Sequence, residues 1–584
     1  MRRRKRMNKR PDFYKGADIS FLPQCLDAGM KVKDFDGSEK EPFELLEKYG
    51  VNAIRLRIWH TPENVPESGG YCDLAHTIAM AQEIRKHGMQ FMLDFHYSDF
   101  WADPGQQKKP KAWEKLNFEQ LQNAVYSYTG DTLLTLQERG LLPDIVQIGN
   151  EIRSGLLFPE GELPDYAGMV QLVNAGIQGA RSVADPSEMQ VLIHLDQGGR
   201  YFYLKEWFSH ALAEGLMDFD LIGLSYYPFW HGTYTDLKET MERLVEEYRK
   251  PIMIVESAYA WRKCENGFID EAQEKIAGFP ASPKGQLKAL ELVNGITASL
   301  PDQMGRGVFY WEPICLPVNG VGSWAENMGL LDEDGRVLDG IRAFLFTRQA
   351  YDPMEWAKVY EPQSITVQIG TPAALPAEVS VLRMDGSLMK KKVSWQTDGE
   401  VSFPHPGSFT IQGIVEEKEL PVAITIQVVE HFPEKENLLK DVNWDEGMAW
   451  WQTESSGEHV VAQIYPEFVE PYPAPPLNAL RVEGKKNFTF RISQQVRIPE
   501  PGEYSLEAEL QGTDTTGVNV CLFVQSEQGK QEILVHPTEH GFAVCRLKVK
   551  LNEGPATVGV SITASPMYIM MRKLSFAPTF HPAL

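Results

Sequence analysis

The chain has 584 residues, more than a single hydrophobic core can use, so two to four domains are expected. Hydrophobic residues at 43% against 23% charged exclude a disordered polymer, and no apolar run approaches the roughly 18 residues that span a bilayer. A net charge of −23 disfavours nucleic acid and any other polyanion as a partner and suits a neutral or cationic ligand.

The chain opens on "MRRRKRMNKR", and residues 1–14 read as a basic tail. No apolar segment follows, so this is not a complete secretory signal but a tail, or a trimmed or mis-started N-terminus. Residues 15–350 then alternate β-rich runs with helical patterns. The runs are "KGADIS" (15–20), "NAIRLRI" (52–58), "QFMLDFHY" (90–97), "DIVQIGNE" (144–151), "VLIHLD" (191–196), "LIGLSYYP" (221–228), "PIMIVES" (251–257) and "GVFYWEP" (307–313). Stretches such as "DLAHTIAMAQEIRKHG" and "YAGMVQLVNAGIQGARSVA" lie between them, with apolar residues three and four apart. Eight βα units predict an α/β fold, a (β/α)8 TIM barrel with enlarged loops.

Beyond it the helical pattern stops. Residues 355–430 hold short period-two runs such as "SITVQIG" and "GSFTIQGIV", predicting an antiparallel immunoglobulin-like β-sandwich. Residues 436–584 continue with runs such as "GEYSLEAELQG" and "ATVGVSITA", whose number and length suit a second all-β domain, a jelly-roll sandwich. The six cysteines are scattered with no C-x-x-C, so free thiols are expected and no zinc site.

In a barrel of this kind the C-terminal strand ends converge on the active site. They supply Asp18, Arg57, His96, Asn150 with Glu151, Asp196, Tyr226 with Tyr227, Glu256, and Trp311 with Glu312. Any one strand-end glutamate is readily an ion pair or a loop contact. Glu151 and Glu256 together, closing the otherwise apolar fourth and seventh strands, are the pair that glycoside hydrolysis requires, one attacking the anomeric carbon and the other protonating the departing oxygen. A two-metal site is the other use of facing carboxylates, but His96 is thin support for it, and no metal or cofactor is expected. Glu312 competes less well, because its neighbour Trp311 already explains that strand end as an apolar floor under a sugar ring. His96 either orients a carboxylate, binds substrate or is a core histidine. Trp101, Trp230, Trp261 and Trp324 fall in predicted loops, where sugar stacking or loop packing covers them. Trp444, Trp450 and Trp451 form either a carbohydrate platform or sandwich core.

Residues 15–345 resemble the endo-β-1,4-galactanases of glycoside hydrolase family 53. The likeness rests on "KGADISFLPQ", "NAIRLRIW", "DFHYSDFWADPGQQKKPKAW", "VQIGNEI", "IGLSYYPFW", "VESAYAW", "FPASPKGQ" and "GVFYWEP". The resemblance implies that Glu151 is the general acid/base, Glu256 the nucleophile and Asn150 a ligand of the sugar 2-hydroxyl. Arg55 and Arg57 share a face of the second strand, where the clan places an arginine beside the nucleophile, and Arg57 lies nearer the mouth. Substrate is expected to meet Asp18, Arg57, His96, Asn150, Asp196, Tyr226, Tyr227, Trp311 and Trp324. Some bacterial members hold calcium in a loop near the end of the barrel, but "RKCENGFIDEAQEKIAGF" shows no ladder of oxygen donors, and none is predicted. The expected activity is retaining endo-hydrolysis of pectic β-1,4-galactan by a monomer. The alternatives are another β-1,4-glycan, mannan or xylan, and a glycan-binding protein without catalysis. The C-terminal sandwich is weakly like the carbohydrate-binding modules often attached to such enzymes. The family implies an extracellular or cell-surface location, whereas the missing export signal implies the cytoplasm if this chain is the whole product.

Overall fold

A computed structural model describes the chain except for residues 1–9, 265–268, 270–272, 275–276, 317, 319–326, 363, 398–400, 431–436, 443, 445–447, 458–459, 468–476, 485–486, 513–518, 538–541, 565–566 and 580–584. The described residues form two compact units, Met1–Val359 with Val381–Met389, and Tyr360–Ser380 with Lys390–Leu584.

The first unit contains a closed barrel of eight parallel strands: β1 (Tyr14–Asp18), β2 (Ala53–Ile58), β3 (Gln90–Phe95), β4 (Ile145–Ile148), β5 (Gln190–Leu195), β6 (Leu221–Ser225), β7 (Ile252–Ser257) and β8 (Gly305–Trp311). Each falls on a run that the sequence marks as a strand, with β1, β5 and β8 beginning one or two residues before theirs. Strands two to seven of this ring are buried along nearly their whole length, as the unbroken apolar runs require of a sheet covered on both faces. The long helices around it, among them α1 (Leu74–Lys86), α2 (Phe118–Glu138), α3 (Tyr166–Arg181), α4 (Tyr201–Ala213), α5 (Tyr234–Tyr248) and α6 (Pro283–Ala298), start where capping chemistry permits. The Asp73 carboxylate accepts from the His76 amide, Asn117 and Gln120 form a capping box, Thr233 and Asp236 form another, and Ser282 caps α6 with Pro283 at its first position.

Inside the barrel, Tyr14, Ala53, Met92, Ile145, Leu192, Leu221, Met253, Val255 and Phe309 form one buried cluster that draws on every strand. This layer sets the parity of the ring, because side chains two residues further along a strand point to the same side. Above the apolar floor therefore come Asp18 (over Gly16), Arg55, Asp94, Gln147, His194, Ser225 (over Gly223) and Trp311. Strand β7 breaks the rule. Met253 and Val255 are both in the cluster, so strict alternation would turn Glu256 outward, but the register with β6 slips by one residue between the Leu224–Ile254 and Ser225–Glu256 pairs. That β-bulge re-aims Glu256 into the ring.

In the second unit, Gly407–Val415 and Leu420–Val429 pair antiparallel, and Ile365–Gln368 runs parallel to Leu420–Val429, a departure from the all-antiparallel expectation. Parallel neighbours need a crossover connection, which the long stretch of chain between those two strands supplies. Residues from Gln452 on build two five-stranded antiparallel sheets around a large apolar core that includes Trp444, Trp451, Tyr504 and Phe576. The predicted two-sheet sandwich is thus present among the described residues. Trp444 and Trp451 are core, their rings 4.9 Å apart, whereas Trp450 is 46% exposed, so the three rings do not share one platform.

Candidate active site

Glu151 stands three residues beyond the end of β4. The chain turns at Gly149 (φ 80°), where an added Cβ would lie 2.6 Å from Ile152, and Glu151 itself is left-handed (φ 47°). Left-handed backbone recurs at Tyr97, Gln197 and Glu312, each one or two residues past a strand end of the same rim. Such conformations cost of order 1–3 kcal/mol each and persist where packing over-determines them, as at a ligand-facing rim. The Trp207 indole N–H, donating to the Ile152 carbonyl at 3.1 Å, is one such restraint.

Arg55 is the centre of the constellation. It is 1% exposed, and its guanidinium contacts Asp18 Oδ2 (2.8 Å), Asp94 Oδ2 (2.8 Å) and Glu256 Oε1 (2.9 Å) while donating to Asn150 Oδ1 (2.9 Å) and Gln147 Oε1. One cation serves three carboxylates. The Tyr227 hydroxyl donates to the other Glu256 oxygen at 3.4 Å. Burial pushes Glu256 up to about 7, against the pull of Arg55 and with Asp18 and Asp94 adding to the rise. Among the described residues no cation is in contact with Glu151. Its Oε1 accepts from Ser225 Oγ at 2.5 Å, and enclosure on every side but the cleft, then the charges of Glu256 and Asp196, hold it well above the usual carboxylate range. The two environments differ: the carboxyl on the arginine has a cation that favours its charge, and the other faces like charge that disfavours it.

The remaining strand-end residues sort by what they touch. Asp18 is fully buried on Arg55 and Ser20, and so acts through Arg55 rather than on a ligand. Arg57 is not the arginine beside Glu256. It pairs with Glu312 at 2.8 Å, its guanidinium lying 4.2 Å from the Phe21 ring centre and 4.3 Å from that of Trp101. Alternation does put Arg55 and Arg57 on one face, but the long side chain of the deeper residue reaches the height of Glu256 while Arg57 is drawn sideways to the eighth strand's carboxylate. His96 is 2% exposed; its Nδ1 accepts from Trp59 and the Ala102 amide and its Nε2 faces Asp94 at 3.1 Å, so protein groups fill both nitrogens. Asn150 donates to the Ala102 carbonyl and accepts from Arg55. Asp196 receives Arg153 through both oxygens. Tyr226 is fully buried and donates to the Gly232 carbonyl, pointing away from the site that its neighbour Tyr227 enters. Trp311 packs 6.3 Å from Trp101 at the rim, and Trp324 lies outside the described residues.

Sequence reading missed Asp94, Gln147, His194 and Ser225. The signal was available: each is a polar residue inside an apolar run, at the parity of the barrel interior. Among the described residues no group of three or more His, Cys, Asp or Glu side chains is placed to hold a metal ion.

A parallel eight-stranded barrel whose mouth carries two glutamates in contrasting electrostatic settings is an arrangement that glycoside hydrolysis can use. The model of glycosyl hydrolase family 53 matches residues 14–344, over half the chain, and the chain belongs to that family. A bacterial Ig-like domain (group 4) model matches residues 360–418. The chain is 39% identical over 57% of its length to an uncharacterized protein of Niallia circulans, covering 94% of that protein. It is 35% identical to the arabinogalactan endo-beta-1,4-galactanase of Cellvibrio japonicus, over 58% of this chain and 91% of that one. The solved structure of an Ignisphaera aggregans GH53 catalytic domain superposes with a TM-score of 0.54 at 34% identity, over 57% of this chain and 95% of that chain.

Proposed function

We propose that the protein is a retaining endo-hydrolase of β-1,4-galactan, working by double displacement with Glu256 as nucleophile and Glu151 as acid/base. The observation that carries the assignment of roles is the Arg55–Glu256 contact set against Glu151, hydroxyl-bound and without a cation in contact among the described residues. Ionised Glu256, held by Arg55 and Tyr227, attacks the anomeric carbon while neutral Glu151 gives its proton to the departing glycosidic oxygen. Glu151, now ionised, takes a proton from water, which releases the glycosyl group from Glu256 with overall retention. The galactan substrate is inferred from the names of the relatives; discrimination from mannan and xylan rests on contacts to the axial 4-hydroxyl of galactose.

Two measurements test this reading. Glu256→Ala is expected to lose hydrolysis with its fold intact and to regain turnover of an activated aryl galactoside with azide, giving inverted product; Glu151→Ala with azide gives a retained glycosyl azide. Retention in the rescued Glu256→Ala enzyme would exchange the two roles. Reducing-sugar release from galactan, arabinan, mannan and xylan, measured side by side, should be fastest on galactan; faster release from mannan or xylan reassigns the substrate, and release from none reassigns the protein as a binder.

A further inference from the structure

Behind Glu151 lies a chain of buried polar side chains that catalysis as described above does not use. Ser225 Oγ is 2.5 Å from Glu151 Oε1, and His194 Nε2 is 2.8 Å from the same Oγ. His194 Nδ1 in turn lies 3.0 Å from Gln147 Nε2 and 3.4 Å from the backbone nitrogen of Glu151. His194 and Ser225 are both fully buried, on the adjacent strands β5 and β6.

The proton positions follow from the ends of this chain. Gln147 is fixed in orientation, because its oxygen accepts from Arg55 and its nitrogen donates to Asp94 Oδ1 at 2.6 Å. Its second N–H has three acceptors in reach, His194 Nδ1 at 3.0 Å, the Gly149 carbonyl at 3.1 Å and Asn150 Oδ1 at 3.2 Å, of which Nδ1 lies nearest. The Glu151 amide cannot flip at all, and it too donates toward Nδ1. Asn150 Oδ1, at 3.0 Å, is an acceptor near that nitrogen, but it already receives Arg55 and has Gln147 Nε2 at 3.2 Å, so both its lone pairs face other donors. Two donors converge on Nδ1, so this atom presents its lone pair and the ring proton sits on Nε2. Burial, with Arg55 nearby, keeps the ring well below the ordinary histidine range and therefore neutral, with a single N–H. Ser225 Oγ must then accept from Nε2, and its own hydrogen has Glu151 Oε1 as partner.

We propose that His194 and Ser225 are positioning residues that form a one-way hydrogen-bond relay, leaving Glu151 Oε2 as the only oxygen that carries the acid proton toward the substrate. The inference rests on the acid/base reading of Glu151. Among the described residues none donates to Oε2. A donated hydrogen bond on Oε1 stabilises ionised Glu151 as well, which opposes the other groups that face it: Glu256 on β7, Asp196 after β5 and Asp103 after β3 all disfavour its charge. Tyr227 after β6 also faces Glu151 and is held neutral, raised well above its ordinary range by burial and by both glutamates. The relay thus offsets the like charges enough for Glu151 to act as a base in the second half-reaction.

The test follows kcat/KM against pH for the full-length wild type, Ser225→Ala, Ser225→Thr and Glu151→Gln, on two substrates. One is a β-1,4-galacto-oligosaccharide, whose leaving sugar needs a proton, and the other a dinitrophenyl β-galactobioside, whose leaving group does not. On the oligosaccharide Ser225→Ala should move the alkaline limb up by about one pH unit, as ionised Glu151 loses its donor, and lower the plateau about tenfold as the carboxyl loses its orientation. On the dinitrophenyl substrate the change should stay within about twofold, because that step needs no acid. Ser225→Thr, which keeps the hydroxyl, should bring the limb back. An alkaline limb in Ser225→Ala that is unmoved or moves down overturns the relay. A limb that persists in Glu151→Gln overturns the acid/base reading instead, so the two failures are distinct. Long-range proton–nitrogen NMR of histidine-labelled wild type gives a readout that does not depend on how Ser225 variants fold. The ring whose signals vanish in His194→Gln should show a protonated Nε2 and a bare Nδ1, and the reverse tautomer rejects the proposal.

Discussion

Arg55 gives the sharpest prediction at the scale of single residues. Removing it as Arg55→Met leaves Asp18, Asp94 and Glu256 mutually repelling in a buried site, and denaturant unfolding at pH 7 should show a loss of about 3–5 kcal/mol. Glu256 would then ionise only at higher pH, so the acid limb of any residual activity should shift upward. Arg57→Met, which strands Glu312, should cost a similar amount of stability yet leave the acid limb where it is, because Arg57 touches neither glutamate of the pair. If both variants shift the limb alike, the division of labour between the two arginines is wrong. Glu256 also carries a stability cost. Its pKa is raised in the fold to about 7, so the folded state binds more protons than the unfolded one between the ordinary carboxylate value and neutrality. Stability from this group is therefore fully present at low pH and lost as pH rises through that window. Glu256→Gln should raise the melting temperature at pH 8 and change it little at pH 4; equal gains at both would remove the linkage. Arg55 was visible in the sequence as one of two candidates, but which arginine reaches the nucleophile depends on the height of Glu256 across the barrel, a distance no local pattern encodes.

At the scale of elements, periodicity was enough to place the barrel strands, since the runs alternate with helical patterning. The bulge before Glu256 was not legible. "PIMIVES" reads as a continuous buried strand, and the register slip that turns the glutamate inward exists only in its pairing with β6. The same limit applied to the tryptophans of "VNWDEGMAWWQ", whose spacing fits either a platform or a core. Their structural separation makes a test: Trp451→Ala should cost about 3–5 kcal/mol as a large core ring is lost, while Trp450→Ala should stay within about 0.5 kcal/mol as an exposed substitution. Comparable losses in the two unfolding curves would contradict the burial of Trp451.

For the whole molecule, the eight strands close their own ring and fill it with their own side chains, so a chain ending near residue 350 is expected to fold and to cleave soluble galacto-oligosaccharides with kcat/KM close to that of the full-length protein. It should nevertheless melt at a lower temperature. Residues Val381–Met389 belong to the barrel's unit: the Thr235 hydroxyl donates to the Gly386 carbonyl at 3.0 Å, and Gly386 abuts Ile296 of α6 so closely that an added Cβ would lie 2.8 Å from it. An unchanged melting temperature would show that these contacts contribute nothing, and lost activity would show that the barrel needs more than its own strands. The sequence by itself determined the order of βα units, the two all-β regions and the candidacy of Glu151 and Glu256, because burial, turn chemistry and periodicity act on residues near in the chain. Only the tertiary structure decided which arginine meets Glu256, that Arg57 serves Glu312, that a bulge aims the seventh strand's carboxylate, and that Gln147, His194 and Ser225 converge behind Glu151. Each of those depends on ring closure and register, which bring together strands tens to hundreds of residues apart, and on the low-dielectric interior so enclosed, where a single cation or hydroxyl decides the charge of a neighbouring acid.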